Sequence, residues 1–321
     1  MPMDSETQEP LISVIIPTYN RPLYLAEAIA SAVQQTYQNI EIIVSDDCSL
    51  ENPQSIIDSF KDSRVRLRCN SSNLGVALNV YSAIQEAQGK YIATLNDDDV
   101  WNKDFLENLV PPLEANSELV LAFCDYYMIN PDGTINDKLT QKETQLQKRD
   151  QLQEGIYQPF WKIGLVDQAV FVASAALVRK DAVEWADISG AGVFWDYFTV
   201  YLASRSGGGA YYCPKKLSYY RLSTESLLRS PNPQTKIRKG KAGMFCHSRF
   251  MKDPALHEFR SYFQQRWAHE STNTGIGLLR NKQLKEARPY FLGVLKQQKF
   301  SLRTLVALTL SFTPPSIASR F

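Results

Sequence analysis

Two patterns of apolar and polar positions take turns along the first two thirds of the chain. Leu11 to Pro17, an apolar run rich in β-branched residues, and Tyr91 to Leu95 read as buried strands, and Ile40 to Ser45, Val65 to Cys69 and Leu119 to Ile129 read as further strands. Helical spacings lie between them. Pro22 suits the first turn of a helix whose apolar positions are Leu25, Ile29, Ala32 and Val33. Asn73 to Gln88 puts Val76, Val80, Ala83, Ile84 and Ala87 on one face and stops at Gly89, and another helix begins near Asn102. This alternation predicts an α/β fold with a mostly parallel sheet covered by helices on both sides.

Beyond the turn Asn130-Pro131-Asp132-Gly133, Thr134 to Gln153 has little periodicity and is expected to be a mobile excursion. Val170 to Val178 reads as a strand, Lys180 to Ile188 as a short helix, and Phe194 to Ser204 as a helix starting at Trp195-Asp196-Tyr197. After Ser206-Gly207-Gly208-Gly209 a strand pair is expected around Tyr211-Tyr212 and Leu217 to Arg221. From Pro233 the pattern is helical, and Gly277 to Leu295 resembles one helical repeat with Leu284, Ala287, Tyr290, Phe291 and Val294 inside, too little for a solenoid. The expected division is a disordered N-terminus over 1–10, an α/β domain over 11–225 and a basic α-helical region over 226–321.

The polar loops Pro17 to Arg21, Asp46 to Ser49 and Asn96 to Asp99 end the first, second and fourth strands, and so converge on the rim where open α/β sheets bind ligands. Asp97, Asp98 and Asp99 are adjacent carboxylates that repel one another unless a cation or donor groups offset the repulsion, and oxygen ligands suit Mg²⁺ or Mn²⁺. Asp runs also cap helices and line solvated loops; the company of the other two loops favours a site. No Gly-x-Gly-x-x-Gly follows the first strand and no Gly-Lys-Ser or Gly-Lys-Thr occurs, so phosphate must be held another way. The three histidines, His247, His257 and His269, all lie in the tail, which leaves proton transfer to a carboxylate.

The formal charge of +1 over 321 residues hides a split: 17 of the 35 Lys and Arg, but only 5 of the 34 acids, follow Thr224. Such a basic tail points to an anionic partner, a membrane surface or a phosphorylated lipid, with Leu302 to Phe312 and nearby basic groups lying against it. An ordinary helical cap is the alternative, and no nucleic-acid recognition module is present. Five scattered cysteines read as reduced core residues of a cytosolic protein. The N-terminus is polar, and no stretch nears the roughly 20 apolar residues that span a bilayer, so the expected location is cytoplasmic, soluble or peripheral at the inner face of the plasma membrane.

Ser13 to Arg21, Ile42 to Ser49, Asn73-Leu74-Gly75 and Leu95 to Trp101, taken in order, resemble the motifs of family 2 glycosyltransferases, inverting enzymes with a GT-A fold. The resemblance runs from Leu11 to Arg221. It implies that Tyr19 lies against the base of a donor nucleotide, probed also by Pro17, Thr18 and Arg21, that Asp47 accepts from the base N–H, and that Asp46 orients its loop. Asn73 belongs to the same nucleotide site, Asp97 resembles the ribose contact, and Asp98 with its neighbour Asp99 matches the metal carboxylates. Asp196 matches the base that deprotonates the acceptor hydroxyl, where an apolar wall of Trp195, Tyr197 and Phe198 raises its pKa toward the working pH. Arg221 in Tyr220-Arg221 is placed to contact the diphosphate, and the loop Leu222 to Pro233 to close over donor or acceptor.

The pattern departs from the family at Leu78-Asn79, where many relatives have Arg-Asn, at Asn96, the first position of the aspartate motif, and at Trp195, which replaces a Glu. The resemblance implies transfer of a sugar from a nucleotide-sugar, a UDP-sugar by preference, to a saccharide or lipid-linked saccharide in surface or extracellular polysaccharide synthesis. A nucleotidyltransferase is disfavoured because the first loop lacks a glycine-rich, basic signature. An inactive glycan- or partner-binding protein on the same scaffold is the other alternative.

Overall fold

In this computed structural model, residues 9–222, 232–299 and 301–318 are described. The disorder expected for 1–10 and the closing loop expected over 222–233 therefore fall for the most part outside the described residues.

Nine strands form one sheet: β1 (Ile12–Thr18), β2 (Ile40–Asp46), β3 (Val65–Cys69), β4 (Tyr91–Thr94), β5 (Val100–Trp101), β6 (Leu119–Ile129), β7 (Gly155–Tyr157), β8 (Ala176–Arg179) and β9 (Gly209–Arg221). Their order is β3-β2-β1-β4-β8-β6-β9-β5, with β7 paired to β9. The β3-β2-β1-β4 half is parallel, as is the β6–β9 pair, while β8 is antiparallel to both β4 and β6, so the sheet is mixed. The helices are α1 (Pro22–Val33), α2 (Gln54–Phe60), α3 (Val76–Glu86), α4 (Phe105–Ala115), α5 (Asp137–Leu146), α6 (Val172–Ala175), α7 (Trp195–Arg205), α8 (Pro233–Lys252), α9 (Arg260–Arg280), α10 (Leu284–Lys296), α11 (Leu302–Leu310) and α12 (Pro315–Ala318).

Strand β1 is buried at all seven positions, as a strand covered on both faces must be. It also contains Pro17, which cannot donate to a ladder. Pairing with β4 ends at Ile15↔Thr94, with Leu95 N donating to Ile15 O, so the side of β1 on which Pro17 lacks an N–H has already run out of strand. The core beneath this half joins Val14 and Ile16 to Leu25, Ile29, Ile42, Val44, Ala93 and Phe105.

Four expectations about elements and cysteines need correction. Residues 134–153 are not an unstructured excursion: Asn136 caps α5 by accepting from Leu139 N at 3.0 Å, and a 3₁₀ turn follows at Arg149–Gln151. Only Thr140 of α5 is buried, which is why no apolar period announced the helix. Residues 170–178 are divided between α6 and β8, a distinction that a run of small apolar residues does not carry. The pair expected after Gly209 is one strand, β9, whose register on β6 jumps from Cys124↔Cys213 to Asp125↔Lys216, so Pro214 sits in a bulge and needs no ladder bond. Cys124, Cys213 and Cys246 are buried as expected, but Cys48 and Cys69 are exposed because both lie at strand ends.

What anchors the excursion is Arg149. Its fully buried Nε donates to Asp125 Oδ1 at 2.6 Å, Nη1 donates to Gln147, and the guanidinium lies 4.0 Å from the Tyr126 ring centroid. Lys216 Nζ reaches Asp125 Oδ2 at 2.8 Å. Arg149→Ala leaves a buried carboxylate with one partner fewer, and the expected cost is about 3 kcal/mol, read as a lower urea midpoint at unchanged slope. Arg149→Met should cost less than Arg149→Ala, because Arg149 Nη2 has no hydrogen-bond partner to lose and the Met stem keeps the packing.

The chain divides into two compact units, Met1–Ala186 with Thr199–Ser223, and Asp187–Phe198 with Thr224–Phe321. The segment Asp187–Phe198 thus belongs with the C-terminal helices, although the expected boundary put it in the α/β domain. In the second unit α8 and α9 approach closely at Gly240 of α8, where a Cβ would meet Thr274 Oγ1 of α9 at 2.0 Å. Ile237, Ile276, Leu279, Ala287, Phe291 and Ala307 form its core, which includes Ala287 and Phe291 of the inner face expected for α10.

Candidate active site

The ends of β1 and β2 and the loop after β4 meet at one rim. Register sets this: Thr18 is paired with Asp46, and Asp47 N donates to Thr18 O at 3.0 Å. Asn20 clasps the first two loops, its N donating to Ser49 Oγ and its Oδ1 accepting from Leu50 N, both at 2.8 Å. Pro17 and Thr18 are buried, while the Tyr19 ring is 46% exposed, open to a flat partner.

Asp46 turns back on its own loop, accepting from Ser49 N at 3.0 Å and from Ser49 Oγ. Asp47 Oδ1 accepts from Asn70 Nδ2 and Leu74 N, and Oδ2 from Gly75 N, each at 2.8 Å. The carboxylate therefore fixes the exposed Asn73-Leu74-Gly75 loop, and Oδ2 accepts one protein hydrogen bond where it can take two. Gly75 has φ +84°, a conformation open to glycine at little cost. Behind this loop is a buried network that the sequence did not announce. Ser45 Oγ and Asn70 Nδ2 both donate to Asn79 Oδ1, at 2.7 and 2.9 Å, and Arg68 Nη1 donates to Ser45 Oγ and Asn70 Oδ1. Asn79, seen in the sequence only as half of a departure from the family, is its hub.

The three aspartates have different surroundings. Asp97 Oδ2 accepts from Thr18 Oγ1 at 2.8 Å, and Arg21 Nη1 lies 3.2 Å from Asp97 Oδ1 and 2.9 Å from Asp98 Oδ2. Burial pushes the Asp97 carboxyl up to about 6, against the pull of Arg21, and raises Asp98 as well. Asp99, expected beside Asp98 as a metal ligand, is turned inward: Oδ1 accepts from Arg221 N at 2.9 Å, and Oδ2 from Asn96 Nδ2 at 3.0 Å and Ser174 Oγ at 2.6 Å. Buried beside Asp98, its carboxyl is pushed up to about 8. It organises the loop, and Asn96, a departure from the family motif, serves it as a donor.

Arg221, expected at the diphosphate, is also structural in its contacts. It is 3% exposed; Nε donates to Asp98 O at 2.8 Å, Nη1 to Pro131 O at 3.0 Å, and Nη2 to Glu27, while the guanidinium sits 4.7 Å from the Tyr24 ring centroid. Arg21 is the cation that faces the aspartates instead. Ser174 and Glu27 were missed because neither carries a sequence signal: one is a serine among alanines, the other a glutamate on a helix face.

Among the described residues no group of three or more His, Cys, Asp or Glu side chains is set to hold a metal by itself. A divalent cation that is shared with a diphosphate needs only one or two carboxylates, the rest of its shell being phosphate oxygens and water. Asp97 and Asp98 fit that need: two adjacent buried carboxylates share a single arginine nitrogen.

Asp196 lies in the second unit, in the first turn of α7. Its carboxyl is pushed up to about 6 by burial, offset in part by the Tyr197 N–H. Trp195 and Phe198, expected as its apolar wall, are both buried, and Cys246 is close enough to feel its charge. His247 is buried against Phe263 and pushed down to about 3, so it is neutral and structural.

Comparison with known proteins bears on the fold and the family. A β-1,3-glucosyltransferase of Escherichia coli, named for transfer from UDP-Glc to α-D-GlcNAc-diphosphoundecaprenol, is 33% identical over 125 residues, 39% of this chain and 49% of its own. The segments matched in three other curated relatives span 40 to 59% of those proteins' lengths. Residues 1–349 of Staphylococcus aureus TarS, solved with UDP-GlcNAc, superpose with a TM-score of 0.60 at 15% identity, covering 82% of this chain and 72% of that one. A Pyrobaculum calidifontis mannosyltransferase solved with GDP-Man and Mn²⁺ gives 0.56 at 16% identity, covering 98% and 87%. These two show the fold, a GT-A-like α/β arrangement around a mixed sheet. The sequence pattern of glycosyl transferase family 2 matches residues 13–184, more than half of the chain, and the chain belongs to that family.

Proposed function

We propose that the protein is an inverting glycosyltransferase that moves a sugar from a UDP-sugar to a hydroxyl of a lipid-linked saccharide, in synthesis of a surface or extracellular polysaccharide at the inner face of the plasma membrane. The observation that carries this reading is the rim where Tyr19, Asp47, Asp97, Asp98 and Arg21 come together at the ends of parallel strands. The E. coli relative, with its UDP-Glc donor and diphosphoundecaprenol-linked acceptor, supports the substrate classes.

On this reading the Tyr19 face stacks on the base, the spare acceptor of Asp47 takes a base N–H, and Asn73 and Pro17 shape that pocket. Asp97, held by Thr18, meets the ribose. Asp98, its backbone fixed by Asp99 and Arg221, would hold Mn²⁺ or Mg²⁺, which when bound would supply charge neutralisation for a departing diphosphate. Arg21 is the cation that follows the aspartates and is available to the phosphates as well. Asp196 takes the proton of the acceptor hydroxyl, whose oxygen attacks the anomeric carbon from the face opposite the leaving diphosphate, so the configuration inverts.

Thermal unfolding with UDP, GDP and CDP, each with and without Mn²⁺, tests the donor assignment. UDP with Mn²⁺ at about 100 times its dissociation constant should add about 2.7 kcal/mol of stability, and the other nucleotides less. Stabilisation by GDP in preference to UDP would transfer the assignment to a GDP-sugar, and none by any nucleotide would favour a binding protein on this scaffold.

A further inference from the structure

Helix α11 is apolar on both of its faces. The inner face buries Thr304 and Ala307, and Thr304 Oγ1 lies 2.9 Å from Thr272 Oγ1 of α9. The outer face of a helix packed in this way is normally polar. Here it carries Leu302, 77% exposed, Leu305 at 38% and Val306 at 40%, with Phe312 just beyond the helix at 66%. The helix is well formed without help from that face, because Ser301 and Thr304 close a capping box at its start.

Cations surround this ridge. Arg303 is exposed within it, and Arg288 lies 4.2 Å from the Phe312 ring centroid. Lys236 and His269 are depressed by burial and then by cations: Arg280 and Arg303 act on Lys236, and Arg266, Arg303 and Lys236 on His269. Nε of Arg266 is buried with no hydrogen-bond partner. Positive groups so close that they repel one another, beside exposed leucines, form a surface that is basic and apolar together. Among the described residues no helix is long and apolar enough to cross a membrane.

We propose that the outer face of α11, with Arg303 and the neighbouring cations, docks this unit on an anionic lipid bilayer, the helix lying in the plane of the headgroups. Charge decides between a bilayer and a second copy of the chain. With 17 basic and 5 acidic residues after Thr224, two copies would bring like charge together, whereas anionic headgroups bring the opposite sign. The inference deepens the lipid-linked acceptor reading by giving the protein its own hold on the surface where such an acceptor resides.

The test is sedimentation of the full chain with vesicles of phosphatidylcholine alone and of phosphatidylcholine with phosphatidylglycerol, at low and raised salt. Binding to the anionic vesicles, weakened by salt, is expected. Leu302→Glu with Val306→Glu should lower the partition coefficient about tenfold or more, and Arg303→Glu should remove part of the salt-sensitive component. These side chains are exposed, so melting temperature and UDP binding should stay at wild-type values, and Leu305→Gln provides a milder variant. No binding of wild type to anionic vesicles, or binding unchanged in the double variant, would overturn the proposal. So would a dimer in solution that the double variant abolishes. Vesicle binding needs no catalysis, so its failure is distinct from failure of the transferase reading.

Discussion

Asp98→Ala is expected to lower kcat by about a thousandfold or more and to abolish its dependence on Mn²⁺. The expectation follows from how the loop divides its work. Asp99 is satisfied by Arg221 N, Asn96 and Ser174, and Asp97 is held by Thr18, whereas Asp98 has only Arg21 among side-chain partners and is also the least buried of the three. Removing it takes away a carboxylate that burial disfavours in its ionised form, so the fold should not suffer. The check is steady-state kinetics across a Mn²⁺ series alongside thermal unfolding of both proteins. Activity in the variant close to wild type would remove Asp98 from the cation site. A low melting temperature would instead mark it as structural.

Asp196→Asn is expected to cost between about a hundredfold and ten-thousandfold in kcat, with little change in donor affinity. A base works in its ionised form. With the carboxyl pushed up to about 6, kcat/KM of the wild type should rise as pH climbs through about 6 and level off above it. The variant should lose that acid limb along with the rate, because asparagine does not titrate. A pH profile from 5 to 8 on both proteins reads this directly, and an acid limb that persists in Asp196→Asn would assign it to another group.

Strand β6 and the half-buried β3 were anticipated to the residue, and β1, β2 and β4, whose burial leaves largely apolar runs, to within a residue at one or both ends. The candidate site was legible for the same reason, since polar residues that interrupt such runs at their ends have few other uses. What escaped was anything fixed by partners far off in sequence. Asp99 and Arg221 looked like ligand-facing groups, yet the Asp99 carboxylate is taken up by Arg221 N, Asn96 and Ser174, and the Arg221 guanidinium by Asp98 O, Pro131 O and Glu27, which no local pattern could show. Helix α5 escaped because what it buries against the sheet is Thr140, whose Oγ1 accepts from Met128 N at 2.9 Å, rather than an apolar stripe. Asn79 looked like part of a lost cation motif and proved to be the centre of the network behind Asp47.

The central claim is transfer of sugar from a UDP-sugar, and the most direct measurement offers the full chain a panel of UDP-sugars with Mn²⁺ and a diphospholipid-linked GlcNAc acceptor. Product is followed by mass and by the anomeric coupling in its NMR spectrum. The account predicts UDP release matched by one sugar added to the acceptor, in the anomeric configuration opposite to that of the donor. Donor that binds and stabilises the protein, yet is neither transferred nor hydrolysed across the panel, would contradict it.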